Sequence, residues 1–227
     1  MEQWDELLRQ LADDPSDYDR VEDVAVLFRQ GQELMLKFAI VAGSGHCVEV
    51  ESGNRVGETT YEPIGTYIQK RLLDLPRLGR QIVRAIDRAA EKRPGDYVEG
   101  PALFRGSSGE ERWESSREEL LHCLREAPVG ATRLIQLMAG AGRGKTVLLD
   151  NAALTAARQY QPVEYPIPLI LNVDLLGRYV GNIDDAIAGS LNNTYLFPGL
   201  THRDVCLCVC RGWLVLALDG FDELVAR

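Results

Sequence analysis

The sequence predicts an α/β protein. Residues 96–227 are expected to form a three-layer sandwich around a parallel sheet, and residues 1–95 a mostly α-helical module. Two observations support this prediction. Strand-like apolar runs alternate with helical segments after residue 130, and a glycine-rich loop joins the first of these runs to a helix. Alternating strands and helices typically give a parallel sheet that helices cover on both faces.

Most of the first 95 residues show the apolar spacing of helices. Four segments have this spacing: 2–12, 21–41, 63–73 and 77–92. Cys47–Glu51 alternates like a strand and is followed by a Ser-Gly-Asn turn, which predicts a small hairpin that reaches Tyr61. The Arg-Pro-Gly-Asp sequence at 93–96 ends the last helix and marks the predicted domain boundary. We interpret the module as an interaction domain, with an unrecognised enzyme as the alternative.

The second part of the chain alternates between the two element types. Helices are predicted at 113–125, 144–160, 183–191 and 204–211, and buried strands at 134–138, 167–173 and 213–218. The strands are rich in Leu, Ile and Val, which is typical of strands buried on both faces. Ligands of open α/β sheets bind at the carboxyl ends of such strands, so the residues there are the candidates for function.

The first candidate is the sequence Ala-Gly-Ala-Gly-Arg-Gly-Lys-Thr, which follows the strand predicted at 134–138 and opens a helix. Its glycines allow the backbone to curl so that successive N–H groups point at a phosphate, and the helix N-terminus adds positive charge there. This context predicts a phosphate-binding loop, although Ala139 replaces the usual first glycine. The predicted nucleotide-binding residues are Ala139, Gly140, Ala141, Gly142, Arg143, Gly144, Lys145, Thr146 and Val147.

The second candidate is the acidic cluster Asp219, Asp222 and Glu223, which follows the strand predicted at 213–218. Asp219 is expected to bind Mg²⁺ through water, with the Thr146 hydroxyl as a second metal ligand. Glu223 is the predicted residue that orients or deprotonates the attacking water, and Asp222 could share either role. Lys145 should contact the β- and γ-phosphates and is the third predicted catalytic residue. The two motifs together predict a nucleotide site with bound Mg²⁺.

These motifs resemble the NACHT branch of the STAND NTPases over about residues 98–227. The resemblance is carried by Gly140–Thr146, by the strand that ends in Asp174-Leu175, and above all by the Asp-Gly-Phe-Asp-Glu-Leu string that begins at Asp219. It implies ATP or ADP as the nucleotide, and no guanine-specifying Asn-Lys-x-Asp motif contradicts this. Family members are nucleotide-dependent signalling switches that self-associate through the NTPase domain, many of them in immunity or anti-phage defence. The effector and the trigger are not identified by the sequence.

One departure from the family concerns the sheet. In this class another strand lies between the strand of the phosphate loop and the strand of the metal aspartate, and here it would fall beyond Arg227. We therefore expect the chain to be the front part of a longer protein and to hydrolyse ATP poorly by itself. Two alternatives stay open: a P-loop ATPase acting on nucleic acid or a small molecule, and a non-catalytic interaction fragment.

Bulk properties narrow the partners. A net charge of −9 argues against a general nucleic-acid-binding surface. The apolar run Trp213–Leu218 is far shorter than a membrane span requires, and the acidic N-terminus differs from a signal peptide. We therefore expect a cytoplasmic protein that does not bind membranes.

Three smaller features have two interpretations each. Cys206, Cys208 and Cys210 are interpreted as core residues, with zinc or redox use as the alternative. The pair His46-Cys47 is interpreted as structural rather than catalytic. A stripe of arginines on the helix predicted at 77–92 is interpreted as a solvated face, with an anion or partner surface as the alternative. These arginines are Arg77, Arg80, Arg84 and Arg88.

Overall fold

The chain divides into two compact units. The computed structural model describes residues 24–30, 33–41, 46–49, 60–63, 66, 68–92, 97–106, 109–126, 134–140, 143–163, 166–175 and 182–220. One unit comprises Met1–Leu75 and Pro162–Glu164, and the other comprises Pro76–Gln161 and Tyr165–Arg227. The division falls at Leu75/Pro76, whereas the sequence predicted a boundary at residues 95/96.

The first unit contains an antiparallel sheet. Its strands are neighbours in chain order: β1 Val24–Gln30, β2 Glu33–Val41, β3 His46–Glu49 and β4 Thr60–Pro63. The predicted helix at 21–41 is therefore wrong, because residues 24–30 and 33–41 are strands, and the described residues of this unit lie mostly in strands rather than helices. Nearly continuous apolar runs satisfy the helical and the strand period equally. Gln30 and Glu33 pair with each other although only two residues separate them in the sequence, one of them a glycine, and such a spacing is typical of a hairpin.

One other prediction for this unit is confirmed, and a second agrees with the structure only in part. β3 and β4 pair antiparallel, which confirms the hairpin predicted from Cys47 to Tyr61. The helix predicted at 63–73 is reduced to a short π-helical turn at Ile68–Leu72. Gln69 in this turn is buried, and its side-chain amide donates a hydrogen bond to the Val163 carbonyl at 2.8 Å. The helix predicted at 2–12 lies outside the described residues.

The second unit begins with an amphipathic helix, α1, at Leu75–Ala90. Leu78 and Ile82 of α1 are fully buried, which confirms the predicted apolar face. Gly79 lies close to other elements of this unit: a Cβ atom there would be 3.4 Å from Leu169 Cδ2 and 3.6 Å from the Ala157 carbonyl. α1 is therefore part of the α/β unit rather than of the N-terminal one.

A hairpin and a helix follow α1. The hairpin consists of β5, Ala102–Gly106, and β6, Gly109–Trp113, and it was not predicted because its sequence is strongly polar. The rings of Phe104 and Trp113 stack across it at 4.5 Å. The helix α2, Ser116–Arg125, confirms the prediction at 113–125.

The Glu99 carboxylate fixes the start of α2. It accepts hydrogen bonds from the Ser116 hydroxyl, the Arg117 backbone N–H and the Tyr97 hydroxyl at 3.0–3.1 Å. Burial alone would raise the pKa of Glu99. The three hydrogen bonds and the Arg117 charge together lower it by more, so the pKa lies below its usual value.

The remaining elements form a parallel strand pair with helices packed against it. They are α3 Lys145–Gln159, β7 Leu169–Asp174, α4 Ile183–Gly189, a π-helical turn at Ser190–Thr194, α5 His202–Cys210 and β8 Leu214–Asp219. β7 and β8 pair in parallel from Leu169–Leu214 to Asp174–Asp219. The strands and helices predicted from residue 144 onward are thus confirmed, with bounds that differ by a few residues. β8 was predicted to be buried, but only its start is buried, and Leu218 is exposed. The unit is mixed α/β.

On the side of β7 away from β8, the Tyr195 side chain forms hydrogen bonds with the strand backbone at Asn172. The buried Tyr195 hydroxyl accepts a hydrogen bond from the Asn172 N–H at 3.1 Å and donates one to the Asn172 carbonyl at 3.0 Å. A single hydroxyl thus satisfies both backbone groups that would otherwise bond to another strand. Burial raises the pKa of Tyr195 far above its usual value, so the hydroxyl keeps its proton.

Replacing Tyr195 with phenylalanine is expected to reduce the free energy of unfolding by about 2–3 kcal/mol, because it leaves a buried N–H and a buried C=O without partners. Urea unfolding followed by circular dichroism would measure the loss. Tyr97→Phe is the matched control, since Glu99 keeps its bonds to Ser116 and Arg117 and the expected cost is below about 1 kcal/mol. Equal losses in the two variants would contradict the role of Tyr195.

None of the helices in the described part of the chain combines the length and the apolar character needed to cross a bilayer.

Candidate functional site

The predicted phosphate loop leads directly into α3. Gly144, the residue before the helix, has φ of +85°, a conformation that disfavours residues with a Cβ. Its carbonyl accepts the first helical hydrogen bond, from the Leu148 N–H at 2.8 Å. Lys145 therefore occupies the first position of the helix, where the backbone N–H groups lack helical partners. This local structure agrees with the loop-to-helix transition that the sequence predicted.

The described part of the loop folds back on itself. The Arg143 N–H donates a hydrogen bond to the Gly140 carbonyl at 3.3 Å, and Lys145 Nζ donates one to the Ala139 carbonyl at 2.7 Å. The ammonium group of Lys145 therefore lies against the backbone of Ala139, the first residue of the loop. Ala141 and Gly142 lie outside the described residues.

Asp219 is the last residue of β8. Its carboxylate is oriented by its own chain, because Oδ1 accepts a hydrogen bond from the Gly220 N–H at 3.0 Å. Gly220 has φ of +82°, so a glycine suits the turn that follows the strand. The strand register places Asp174 of β7 beside Asp219 at the same sheet edge. Asp222 and Glu223 lie outside the described residues, and their proposed action on water stays a prediction.

The two motifs meet in one hydrogen bond. Thr146 Oγ1 donates to Asp219 Oδ2 at 2.7 Å, although the two residues are 73 positions apart in the sequence. A hydroxyl and a carboxylate side by side are the hard oxygen ligands that Mg²⁺ prefers. The donor set therefore fits the metal ion that the sequence predicted for Thr146 and Asp219. Thr146 follows Lys145 in the first turn of α3, so the hydrogen bond between Thr146 and Asp219 lies at the same helix N-terminus as the lysine.

The segment before the loop differs from the prediction. Residues 134–138 were expected to form a buried strand, but they pair with no strand in the described part of the chain, and Leu134 and Met138 are 92% and 82% exposed. A strand is stable only when a neighbour bonds its N–H and C=O groups. β8 is paired only with β7 among the described strands, so it does not supply that neighbour.

α3 is fixed to the strand pair by small and polar residues. Ala152, Ala153 and Ala156 are fully buried, which allows close packing of the helix. Asn172 Nδ2 of β7 donates a hydrogen bond to Asp150 Oδ1 of α3 at 2.9 Å. This pair was not predicted from the sequence. Its signal was a single asparagine within the otherwise apolar start of β7.

The cysteine prediction holds for one residue of three. Cys208 is buried, and burial raises the pKa of its thiol, whereas Cys206 and Cys210 are exposed on α5. Core packing of all three is therefore wrong, because residues two apart on a helix point in different directions. The His202 ring lies between two side chains, with Nδ1 2.8 Å from Asp184 Oδ1 and Nε2 3.3 Å from Cys206 Sγ. Over the residues that the structure describes, no group of three His, Cys, Asp or Glu side chains could hold a metal.

The chain was compared with protein-family models, with curated proteins and with solved structures, and none of the three comparisons gave a match. Lys145, Thr146 and Asp219 are therefore the residues whose geometry bears on function.

Proposed function

We propose that the second unit is the nucleotide-binding core of a P-loop NTPase that binds ATP or ADP with Mg²⁺ and acts as the switch of a NACHT-type signalling protein. The proposal includes a three-layer P-loop sandwich, of which β7, β8 and their helices would form a part. The observation that carries it is the 2.7 Å hydrogen bond between Thr146 and Asp219. Two motifs predicted separately from the sequence need this contact to work together.

In this site, positively charged groups would bind the phosphates, and oxygen ligands would bind the Mg²⁺ ion. Lys145 Nζ donates a hydrogen bond to the Ala139 carbonyl in this structure, and it would donate to the phosphate oxygens when a nucleotide is bound. Backbone N–H groups at the start of α3 would bind the same phosphates, assisted by the helix dipole. Bound Mg²⁺ would neutralise phosphate charge. Thr146 and Asp219 would hold the ion.

A signalling switch is favoured over a metabolic enzyme by the Asp-Gly-Phe-Asp-Glu-Leu string and by the acidic character of the chain. The string is the part of the resemblance that few other P-loop families share. An overall charge of −9 disfavours a helicase-like function, which requires a basic surface for nucleic acid.

Titration calorimetry with ATP, ADP and GTP, each in the presence and in the absence of Mg²⁺, tests the proposal. We expect one molecule of ATP or ADP to bind per chain, with GTP at least tenfold weaker. ATP turnover should be slow and should not change when DNA or RNA is added. Absence of adenine-nucleotide binding would refute the proposal. Binding together with strong stimulation by nucleic acid would instead indicate a nucleic-acid-processing ATPase.

A further inference from the structure

A second charged feature lies at the opposite end of α3 from Lys145. A groove of about 410 Å³ separates α1 from the C-terminal end of α3. Three arginines and three less polar residues line most of it: Arg80, Arg84, Arg158, Val83, Ala157 and Tyr160. A helix of 15 residues at a rise of about 1.5 Å per residue keeps this groove roughly 20 Å from the phosphate loop.

The walls of the groove are fixed by close packing. Gly79 of α1 has no side chain and lies against the Ala157 carbonyl and the Leu169 side chain. Leu78 and Ile82, on either side of it, are fully buried. Arg80 and Arg84 lie one turn apart, so both project from the same face of α1. The two guanidinium groups are therefore presented by a packed helix rather than by a loop.

The arginine stripe of α1 divides into two pairs. Arg77 lies over the Phe197 ring, 5.4 Å from its centroid, and Arg88 donates a hydrogen bond to the Thr194 carbonyl at 3.2 Å. These two residues contribute to packing within the unit. Arg80 and Arg84, in contrast, have no acidic partner among the described residues. All four arginines are exposed, in agreement with the predicted solvated face.

Arg158 adds a third guanidinium group from α3. It lies 3.6 Å from Asp87 Oδ1, which offsets one positive charge beside the groove. Arg80 and Arg84 are then the uncompensated cations, in a chain whose net charge is −9. A dianionic ligand matches two such cations in charge, and guanidinium groups match phosphate in geometry because each can donate two parallel hydrogen bonds.

We propose that this groove binds a small phosphate monoester that carries an apolar or aromatic group. Arg80 and Arg84 bind the phosphate, with Arg158 beside them. Val83, Ala157 and the Tyr160 ring contact the rest of the ligand. The volume lies within the range of small-molecule sites. The site is separate from the phosphate loop and does not depend on the function proposed for it.

Phenyl phosphate is a suitable probe, because it combines a dianionic phosphate with an aromatic ring. The titration uses the full chain with Lys145→Ala, so that binding at the phosphate loop is suppressed. We expect one phenyl phosphate per chain, bound more tightly than inorganic phosphate. The double variant Arg80→Ala/Arg84→Ala should weaken binding at least tenfold, because it removes two charge-assisted contacts.

The matched control is Arg105→Ala/Arg112→Ala, which makes the same change in net charge on the exposed β5–β6 hairpin. This control should change affinity less than about twofold. The variant Arg80→Lys/Arg84→Lys keeps the charge but loses the planar fork, and it should weaken binding by an intermediate amount. Absence of binding in the Lys145→Ala chain, equal losses in the two double alanine variants, or equal affinity for inorganic phosphate would overturn the proposal.

Discussion

Replacing Lys145 with alanine is expected to weaken ATP binding by about 100-fold. The ammonium group is the one side-chain cation at the N-terminus of α3 that the sequence assigns to the phosphates, and a charge-assisted hydrogen bond contributes about 1.5–3 kcal/mol. The Lys145–Ala139 hydrogen bond shows that this side chain already reaches back over the described part of the loop. Its loss removes both the phosphate contact and the hydrogen bond to the Ala139 carbonyl. Titration calorimetry with ATP and Mg²⁺ measures the change.

Lys92→Ala provides the control for a lost positive charge. Lys92 is exposed just beyond the end of α1, and its replacement should leave ATP affinity within about twofold. Thermal unfolding of both variants separates loss of binding from loss of fold. If Lys145→Ala binds ATP within about threefold of the unmodified chain, the assignment of the phosphate loop is wrong.

The sequence predicts the parts of the site that depend on local signals. Gly144 before Lys145 permits the left-handed conformation that the structure has there. The apolar residues of β8 place Asp219 at the sheet edge, since this apolar strand ends where the polar residues begin. The contact between Thr146 and Asp219 then follows from topology, because a helix packed on parallel strands starts at their carboxyl edge.

The sequence does not predict features that depend on which neighbour an apolar run finds. Residues 33–41 are nearly all apolar, so their pattern cannot separate a strand from a buried helix, and pairing with β1 decides the outcome. Residues 134–138 have a similar composition but no paired neighbour among the described strands, and they form no ladder. The closing of the β7 edge by Tyr195 is equally invisible, because it joins residues 23 positions apart through one hydroxyl.

Replacing Asp219 with asparagine is expected to change nucleotide affinity in opposite directions with and without Mg²⁺. With Mg²⁺, ATP affinity should fall about 10- to 100-fold, because the amide binds the ion and its waters more weakly than the carboxylate. Without Mg²⁺, affinity should rise by about three- to fivefold, because a negative charge near the phosphates is removed. Titrations of ATP with excess Mg²⁺ and with excess chelator measure the two effects.

Asp174→Asn distinguishes a metal ligand from a general charge effect. Asp174 pairs in register with Asp219 at the same sheet edge, but it is Asp219 that accepts the Thr146 hydrogen bond. Both variants lose one negative charge there, so a simple charge effect would raise ATP affinity in both, whether or not Mg²⁺ is present. Only for Asp219→Asn should the effect on ATP affinity change from an increase to a decrease when Mg²⁺ is added. Thr146→Val should likewise lose ATP affinity in the presence of Mg²⁺. A parallel response of the two aspartate variants would mean that Thr146 and Asp219 form a structural hydrogen bond rather than a metal-binding pair.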